Sequence, residues 1–488
     1  MISYTGIEIN GDYSKLMGNH PTTGERLISE KHIDNVVIET FNKYLGDLIS
    51  KIIIEWPYYD QDYLSTYYLH YAKKFRNFPK YCYRLHFISQ KGDYCGYTVL
   101  RPVMYGKKFG RTYINPILFL KKTAYLMRGK YKVHLKGNEY TVKAFPWMMQ
   151  DTDITICAHI AMWTVLKYYG NKFMNYVNPS IGDIVENVSE NWGRKTPSIG
   201  LTPIQVSETL SRFGFYPIIR GGNKEKTNQL LDETMAYIES GIPVIAMSES
   251  KQHAFSIIGH GEINKTCLDD EDYVNKYREP ETNFILHSKL INTVYAMDDN
   301  WFPYRRIDKY ADSSSDVNYS MYEISYVVVP LYSRMQLEYH EVYSRFIGLV
   351  KFGDMKWEGT RVVRIYITSS NSLKEYYKNQ EDVLPILKNV ILHLNMSKFV
   401  WCIDTSEIEE YKEEKVSGKV IIDATAGTKD IEPWILMHDK EKIKYYDVVT
   451  DEKKIIKDVD ITPYKEYIHN LDVVSSYGET SYEKSTIN

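Results

Sequence analysis

Apolar residues recur along the chain at two spacings, and these predict helices and strands arranged in blocks. Helical spacing over His32–Ile54 predicts one long helix early in the chain. The apolar stretches Tyr81–Ser89 and Tyr94–Val103 flank a polar turn at residues 90–93 and predict an antiparallel strand pair. Residues 1–144 are therefore expected to form an α+β section.

The middle part of the chain, residues 145–331, has its predicted helices first and its strands afterwards. Three helices are expected, at Cys157–Tyr169 with its end at Gly170, at Thr202–Phe213 and at Asn228–Glu239. Four short apolar strands follow, at Pro243–Met247, Ala254–Gly259, Val294–Met297 and Tyr322–Val329. This order predicts helices packed on an antiparallel sheet, which is again the α+β class.

The rest of the chain divides into a third section and a tail. Residues 332–474 mix strands such as Val362–Thr368 with helices such as Val383–His393, and predict a further α+β section. Polar residues dominate 475–488, and this tail is expected to fray. A length of 488 residues agrees with several domains, because a single hydrophobic core seldom grows beyond roughly 250–300 residues.

Composition narrows the classes of function. Lys and Arg number 60 against 63 Asp and Glu, so the chain has no overall basic excess with which to neutralise nucleic-acid phosphates. No apolar stretch approaches the roughly 18 residues of a membrane span, and the N-terminal residues lack the apolar core of a signal peptide. The 5 cysteines are an odd, scattered set that does not suggest disulfides. We expect a cytoplasmic protein that binds neither nucleic acid nor a membrane.

Cys157 is the cysteine whose sequence context suggests chemistry. It opens the first helix of the middle section, after a polar run in which Thr155 or Asp153 could cap the helix. The free N–H groups and partial positive charge at a helix start favour a thiolate over a thiol. The alternative is a buried structural cysteine.

Two further residues could act with this thiol. Gln150 lies seven residues before Cys157, near enough for its amide to join the Cys157 N–H as a donor to an oxyanion. His253 begins a predicted strand after a polar turn, where its backbone is fixed and its ring can face a cleft. The alternative for His253 is a hydrogen-bonded histidine at a sheet edge.

An acidic pair follows the third strand of the middle section. Asp298 and Asp299 come directly after Met297, where a carboxylate could orient an imidazole and fix its tautomer. Successive residues of a strand point to opposite sides, so only one of the two can fill this role. The alternatives are a solvated turn or a Ca²⁺-binding loop, although the acidic spacing of the latter does not continue.

The order of these residues resembles that of the papain-like cysteine peptidase superfamily, in particular its bacteriocin-processing peptidase domains. Further matching residues are Ala161, Lys167–Gly170, Pro243–Ile245, Ala254 and Ile258–Gly259. The resemblance covers residues 145–331 and implies a papain-like core, in which a nucleophile-bearing helix packs on an antiparallel sheet. It also implies that Cys157 is the nucleophile and His253 the general base. Asp298 or Asp299 would orient the imidazole, and Gln150 would be an oxyanion donor.

We therefore expect a bacterial cysteine hydrolase that cleaves a peptide or isopeptide bond in a protein or peptide substrate, without cofactor or metal ion. Two departures from the family keep other functions open: Ala158 replaces the usual glycine after the cysteine, and Asp298-Asp299-Asn300 replaces the Asp-Pro after the third strand. One alternative is an inactive papain-like scaffold that serves as an interaction module, for example in stress or phage defence. Another is an acyl transferase or transpeptidase that uses the same thiol.

Overall fold

The computed structural model describes residues 2–188, 200–222, 227–309, 320–355, 357–427, 429–430 and 434–475. Within these ranges the α-helices are α1 (Asn35–Tyr44), α2 (Gln61–Leu69), α3 (Cys157–Lys172), α4 (Ile181–Asn187), α5 (Pro203–Arg212), α6 (Thr227–Glu239), α7 (Glu271–Tyr277), α8 (Tyr339–Lys351), α9 (Ser370–Asn379), α10 (Pro385–His393) and α11 (Ile408–Lys412). The tail predicted at 475–488 lies, apart from residue 475, outside the described residues.

The strands of the described residues are spread over the whole chain. They are β1 (Ser3–Glu8), β2 (Ile49–Tyr58), β3 (Cys82–Ser89), β4 (Tyr94–Leu100), β5 (Phe109–Ile114), β6 (Ala124–Leu126), β7 (Gly129–Leu135), β8 (Asn138–Ala144), β9 (Phe215–Gly221), β10 (Val244–Ser248), β11 (His253–His260), β12 (Phe284–Leu286), β13 (Thr293–Met297), β14 (Arg305–Asp308), β15 (Tyr326–Tyr332), β16 (Arg361–Ser369), β17 (Phe399–Glu407), β18 (Lys415–Val416), β19 (Gly418–Asp423), β20 (Trp434–His438), β21 (Ile443–Asp447), β22 (Glu452–Ile456), β23 (Tyr464–Lys465) and β24 (Asp472–Val474).

Three larger sheets organise these strands and confirm the α+β class. The first is antiparallel, in the order β1-β2-β3-β4-β5. The central sheet has the order β14-β13-β11-β10-β15-β9, and β6 pairs with both β11 and β24 beside it. The third has the order β12-β16-β17-β19-β20-β21-β22, in which only the β12–β16 pair is parallel. Two short pairs, β7–β8 and β18–β23, complete the described strands.

Strand pairing links the three predicted sections. β6, from before residue 145, and β24, from after residue 331, both join the central sheet. In the other direction, β12 of the middle section pairs with β16 of the third sheet. One buried apolar cluster also runs through all three parts of the chain. The division at residues 144 and 331 stays a prediction, and the sheets couple the parts that it separates.

The long helix predicted at His32–Ile54 is wrong in its second half. The helix ends at Tyr44, and Gly46 then takes a left-handed φ of 46°. The following segment is β2, which lies between β1 and β3 and buries Ile52 and Ile54 on the same face. Ile52 fits both a helical and a strand spacing, and pairing on both sides favours the strand.

α3 is longer than predicted and passes through Gly170 to Lys172. A Cβ at Gly170 would lie 2.7 Å from the Val177 carbonyl oxygen, so this glycine permits close packing of the chain and does not end the helix. α3 packs on β11, where Thr164 Oγ1 lies 2.9 Å from Ser256 Oγ, and Ser256 Oγ donates to the Ala161 carbonyl at 3.0 Å. The start of α3 is thereby fixed relative to β11. None of the described helices is long and apolar enough to cross a membrane.

Candidate active site

Cys157 is the first residue of α3, as the sequence predicts, and its side chain is half-buried. Neither of the two predicted capping residues caps this helix. Asp153 instead forms an ion pair with Lys74 at 2.7 Å. The Ile156 N–H is bound by His159 Nδ1 at 3.3 Å, from within the first turn. Burial lowers the pKa of His159 to about 4, so its ring is neutral and can accept this hydrogen bond.

The segment that leads into the helix is held by Asp151, a residue that the sequence alone does not single out. Its buried Oδ1 accepts hydrogen bonds from the N–H groups of Ile154 and Thr155, at 2.9 and 3.0 Å. Its Oδ2 accepts from the Tyr71 hydroxyl at 3.2 Å. These bonds close the turn between Gln150 and Cys157, so both residues face the same cleft from a fixed backbone.

His253 is the first residue of β11, and its ring joins two other predicted site residues. Nε2 donates to Asp298 Oδ1 at 2.9 Å, and the ring also hydrogen-bonds to the Cys157 thiol. Because Asp298 occupies Nε2, Nδ1 is the nitrogen that faces the thiol. Burial disfavours the imidazolium, but the hydrogen bonds that the ring makes to Asp298 and Cys157 outweigh this effect and raise the pKa of His253 to about 10.

Asp298 is fully buried at the end of β13, and its carboxylate has three donors. Besides His253, the Asn300 N–H donates to Oδ1 at 3.0 Å, and Arg305 Nη1 donates to Oδ2 at 2.6 Å. Its backbone carbonyl accepts from Trp147 Nε1 at 2.8 Å. Both the side chain and the main chain of Asp298 are therefore fixed, which orients the imidazole.

Asp299 lies beside this pair without a hydrogen bond to it. Its Oδ1 is 3.7 Å from His253 Nε2, and neither carboxyl oxygen has a hydrogen-bond partner among the described residues. Burial raises the pKa of Asp299 to about 7, and the neighbouring Asp298 charge adds to this effect, while His253 and Lys107 oppose it. Of the two predicted carboxylates, Asp298 is thus the one placed to orient the ring.

A cleft of about 1350 Å³ opens over these residues, and Gln150, Cys157 and His253 all line it. Its walls come from α1, the start of α5, the β10–β11 turn and the loop after β13. The polar side chains on these walls include Glu39, Lys43, Gln205, Glu249, Lys251 and Trp301. The Trp301 ring lies between two cations, Lys43 Nζ at 5.1 Å and the Arg305 guanidinium at 4.4 Å.

Two groups of side chains in the described part of the chain have the composition of metal ligands. One is His253, Asp298 and Asp299. Here the Asp298 oxygens are already taken by His253, Asn300 and Arg305, which suits a hydrogen-bonded catalytic pair better than a cation. The other group is Glu239, His260 and His287, at the opposite end of β11.

No protein-family model matches this chain, and no curated protein matches its sequence. The function of the protein therefore has to be inferred from the geometry of its cleft.

Proposed function

We propose that this protein is a papain-like cysteine hydrolase that cleaves peptide or isopeptide bonds. The observation that carries the proposal is the position of His253, which hydrogen-bonds to the Cys157 thiol and to the buried Asp298 carboxylate in one open cleft. Thiol, imidazole and carboxylate in this order are the parts that nucleophilic acyl chemistry requires. The packing of α3 on the antiparallel central sheet supports a papain-like core as part of this proposal.

In the proposed reaction, His253 holds the thiol proton as an imidazolium, and the Cys157 thiolate attacks the carbonyl carbon of the scissile amide. The resulting oxyanion accepts hydrogen bonds from the Cys157 backbone N–H and the Gln150 amide. When the tetrahedral intermediate collapses, the C–N bond breaks and His253 gives its proton to the leaving amine. Water then attacks the thioester with His253 as base, which releases the carboxylic acid and restores the thiol.

The cleft favours an extended polypeptide over a small metabolite. Its volume of about 1350 Å³ exceeds the roughly 300–1,000 Å³ typical of small-molecule sites. Both charge signs occur on its walls, with Glu39 and Glu249 as well as Lys43 and Lys251. Such a surface can pair with several side chains of a substrate. Because α1 supplies part of the wall, the N-terminal section takes part in substrate recognition in this proposal.

Selective alkylation tests the proposal without knowledge of the substrate. Iodoacetamide is applied at pH 6, where an ordinary cysteine with a pKa near 8.5 is largely protonated and unreactive. Peptide mass spectrometry then gives a rate constant for each cysteine. We expect Cys157 to react at least about tenfold faster than N-acetylcysteine, an ordinary thiol, and faster still than Cys267, a half-buried cysteine outside the cleft whose pKa is raised by burial. Equal rates for Cys157 and N-acetylcysteine would overturn the activated nucleophile.

Turnover is tested with a library of fluorogenic peptide amides. Cys157→Ala should abolish hydrolysis, a loss of at least about a thousandfold, while Cys267→Ala should keep it. Labelling of Cys157 without hydrolysis of any library member would favour the interaction module. Transfer of the acyl group to an added amine, detected as a new amide by mass spectrometry, would favour the transpeptidase.

We also propose a cytoplasmic location, because all five cysteines are free thiols.

A further inference from the structure

A second histidine–carboxylate cluster lies inside the protein, away from the cleft. It consists of Glu239, the last residue of α6, His260, the last residue of β11, and His287, which begins a short 3-10 turn after β12. Their side chains are nearly inaccessible, with exposed fractions of 3%, 1% and 4%. Three ionisable groups are rarely buried together unless something compensates their desolvation.

Both imidazoles are held through Nδ1, which leaves both Nε2 atoms facing Glu239. His260 Nδ1 lies 2.7 Å from the Gly261 carbonyl oxygen. A carbonyl can only accept, so Nδ1 carries a proton, and Nε2 is the nitrogen left to bind another group. His287 Nδ1 contacts the Tyr411 hydroxyl, which likewise leaves Nε2 toward Glu239.

Glu239 presents one oxygen to Arg364 and the other to the two histidines. Its Oε2 accepts from Arg364 Nε at 2.7 Å and pairs with Nη2 at 2.5 Å. Its Oε1 lies 2.6 Å from His260 Nε2 and 3.4 Å from His287 Nε2.

These short contacts do not have hydrogen-bond geometry. Within the described residues, Glu239 Oε1, His260 Nε2 and His287 Nε2 are all buried atoms without a hydrogen-bond partner. A cation bound by Glu239 Oε1 and His260 Nε2 would stabilise their close approach, which no hydrogen bond of the described residues does. In metal-ligating histidines, the ring nitrogen that does not bind the metal is commonly fixed by a hydrogen bond to a neighbouring group. The Nδ1 atoms of His260 and His287 are held in this way.

We propose that Glu239, His260 and His287 bind a divalent transition-metal ion, with Zn²⁺ as the best fit. Two imidazoles and one carboxylate are a common zinc ligand set. At zinc–ligand distances of about 2.0–2.1 Å, tetrahedral ligands are roughly 3.3 Å apart, which the His287 contact already matches and the His260 contact reaches by opening about 0.7 Å. A cavity of about 20 Å³, lined by Glu239 and His287 among mainly apolar residues, has room for one water beside the cluster.

The surrounding charges are compatible with this ion. Glu239 ends α6, and the partial negative charge of a helix C-terminus favours a cation. Arg364 opposes one, but Glu466 lies 3.8 Å from Arg364 Nη1 and can balance its charge. The sequence alone does not predict this site, because its three ligands are far apart along the chain.

The ion would join two sheets. Glu239 and His260 belong to the elements of the central sheet and its helix, whereas His287 follows β12 of the third sheet and contacts Tyr411 of α11. The proposed ion therefore fastens the third sheet to the strand that carries His253. This proposal does not depend on the proposed hydrolase activity.

The test measures metal content and thermal stability of the full chain. The protein is dialysed against ZnCl₂, freed of loose ions on a desalting column, and analysed by inductively coupled plasma mass spectrometry. We expect about one zinc per chain, and removal by a strong chelator should lower the melting temperature by roughly a few degrees. Less than about a tenth of an equivalent, with no effect of chelator, would overturn the site.

Variants locate the ion. His287→Gln should lose the zinc, whereas His438→Gln, a buried histidine of β20 outside the cluster, should keep it. His253→Gln should also keep it, which separates this site from the active-site group. Loss of zinc in His253→Gln with retention in His287→Gln would overturn the assignment. If His287→Gln does not fold, the wild type is loaded with Co²⁺ and its absorption spectrum is recorded. Bands typical of tetrahedral Co²⁺ would support the proposed site, and their absence would contradict it.

Discussion

Strand β11 has a histidine at each end, and the two ends show how neighbours decide what a histidine–carboxylate pair can do. His253 at the start contacts Asp298 at 2.9 Å, and His260 at the end contacts Glu239 at 2.6 Å. Both carboxylates are buried and each is also bound by an arginine, Arg305 or Arg364. The two pairs therefore share their residue types and burial, although only the His253–Asp298 contact has hydrogen-bond geometry.

The helix ends beside the two pairs have opposite polarity. At the start of β11 lies the N-terminus of α3, whose free N–H groups favour a thiolate and an oxyanion. At the end of β11 lies the C-terminus of α6, which favours a cation. The first pair opens to a cleft of about 1350 Å³, and the second adjoins a cavity of about 20 Å³. In our two proposals, polarity and access suit the first pair to covalent chemistry and the second to ion binding.

Exchanging each histidine for glutamine is the strongest test of this contrast. His253→Gln removes the base and should lower peptide-amide hydrolysis by roughly 10²–10⁴-fold. His260→Gln should leave hydrolysis by the folded fraction within about twofold, because His260 does not line the cleft, and should instead lower the melting temperature. Both are measured on protein purified by size exclusion. An equal loss of hydrolysis in the two variants would remove the distinction.

Asp298→Asn separates charge from shape at the catalytic end. Asparagine keeps the volume, but it no longer stabilises the imidazolium and leaves Arg305 without its partner. We expect hydrolysis to fall by roughly 10²–10⁴-fold, as for other triads that lose the orienting acid. Asp308→Asn is the matched control, because Asp308 lies on the neighbouring strand β14, outside the cleft, and binds Arg306. Wild-type activity in Asp298→Asn would show that the carboxylate does not assist His253.

Part of this arrangement can be predicted from the spacing of apolar residues that lie close together in the sequence. Most predicted strands and the helix starting at Cys157 are found where the apolar pattern predicts them, because each depends on residues close in the chain. The order of Gln150, Cys157, His253 and the acidic pair was likewise readable, and the structure brings them to one cleft or its edge. The choice of Asp298 over Asp299 required the register of β13 against β11.

What the sequence could not supply depends on distant residues. The turn at Asp151 is held partly by Tyr71, and the orientation of Asp298 depends on Arg305 from the next strand. In the buried cluster, Glu239 is bound by Arg364, which lies 125 positions away in the sequence. The apolar spacing of β2 fits a helix as well as a strand, and only the pairing of this segment with β1 and β3 distinguishes the two. Pairing over such distances has no local signal.

Gln150→Ala tests whether the Gln150 amide stabilises the oxyanion of the proposed reaction. Loss of one oxyanion donor should lower kcat by about 10²-fold with little change in KM, because the bond forms mainly in the transition state. Gln150→Glu should lower kcat further, since a carboxylate repels the oxyanion. Gln205→Ala, which removes another amide from the cleft wall, is the control and should retain activity. A change confined to KM would assign Gln150 to substrate binding.

Asp299→Asn should have the smallest effect, and one that depends on pH. Below its pKa of about 7, Asp299 is uncharged like asparagine, so hydrolysis by the two proteins should agree. Above it, the ionised Asp299 stabilises the His253 imidazolium. On the alkaline side, hydrolysis by the variant should therefore begin to decline at a lower pH than hydrolysis by the wild type, with a severalfold deficit near pH 9.

The raised pKa of Asp299 also makes the free energy of unfolding depend on pH. Because the folded-state pKa lies above 3.8, the contribution of this carboxyl to the free energy of unfolding is full below pH 3.8 and is lost as the pH rises through 7. Denaturant titrations should show that loss in the wild type and a smaller one in the variant. A constant offset at every pH would instead mean that Asp299 only fills space.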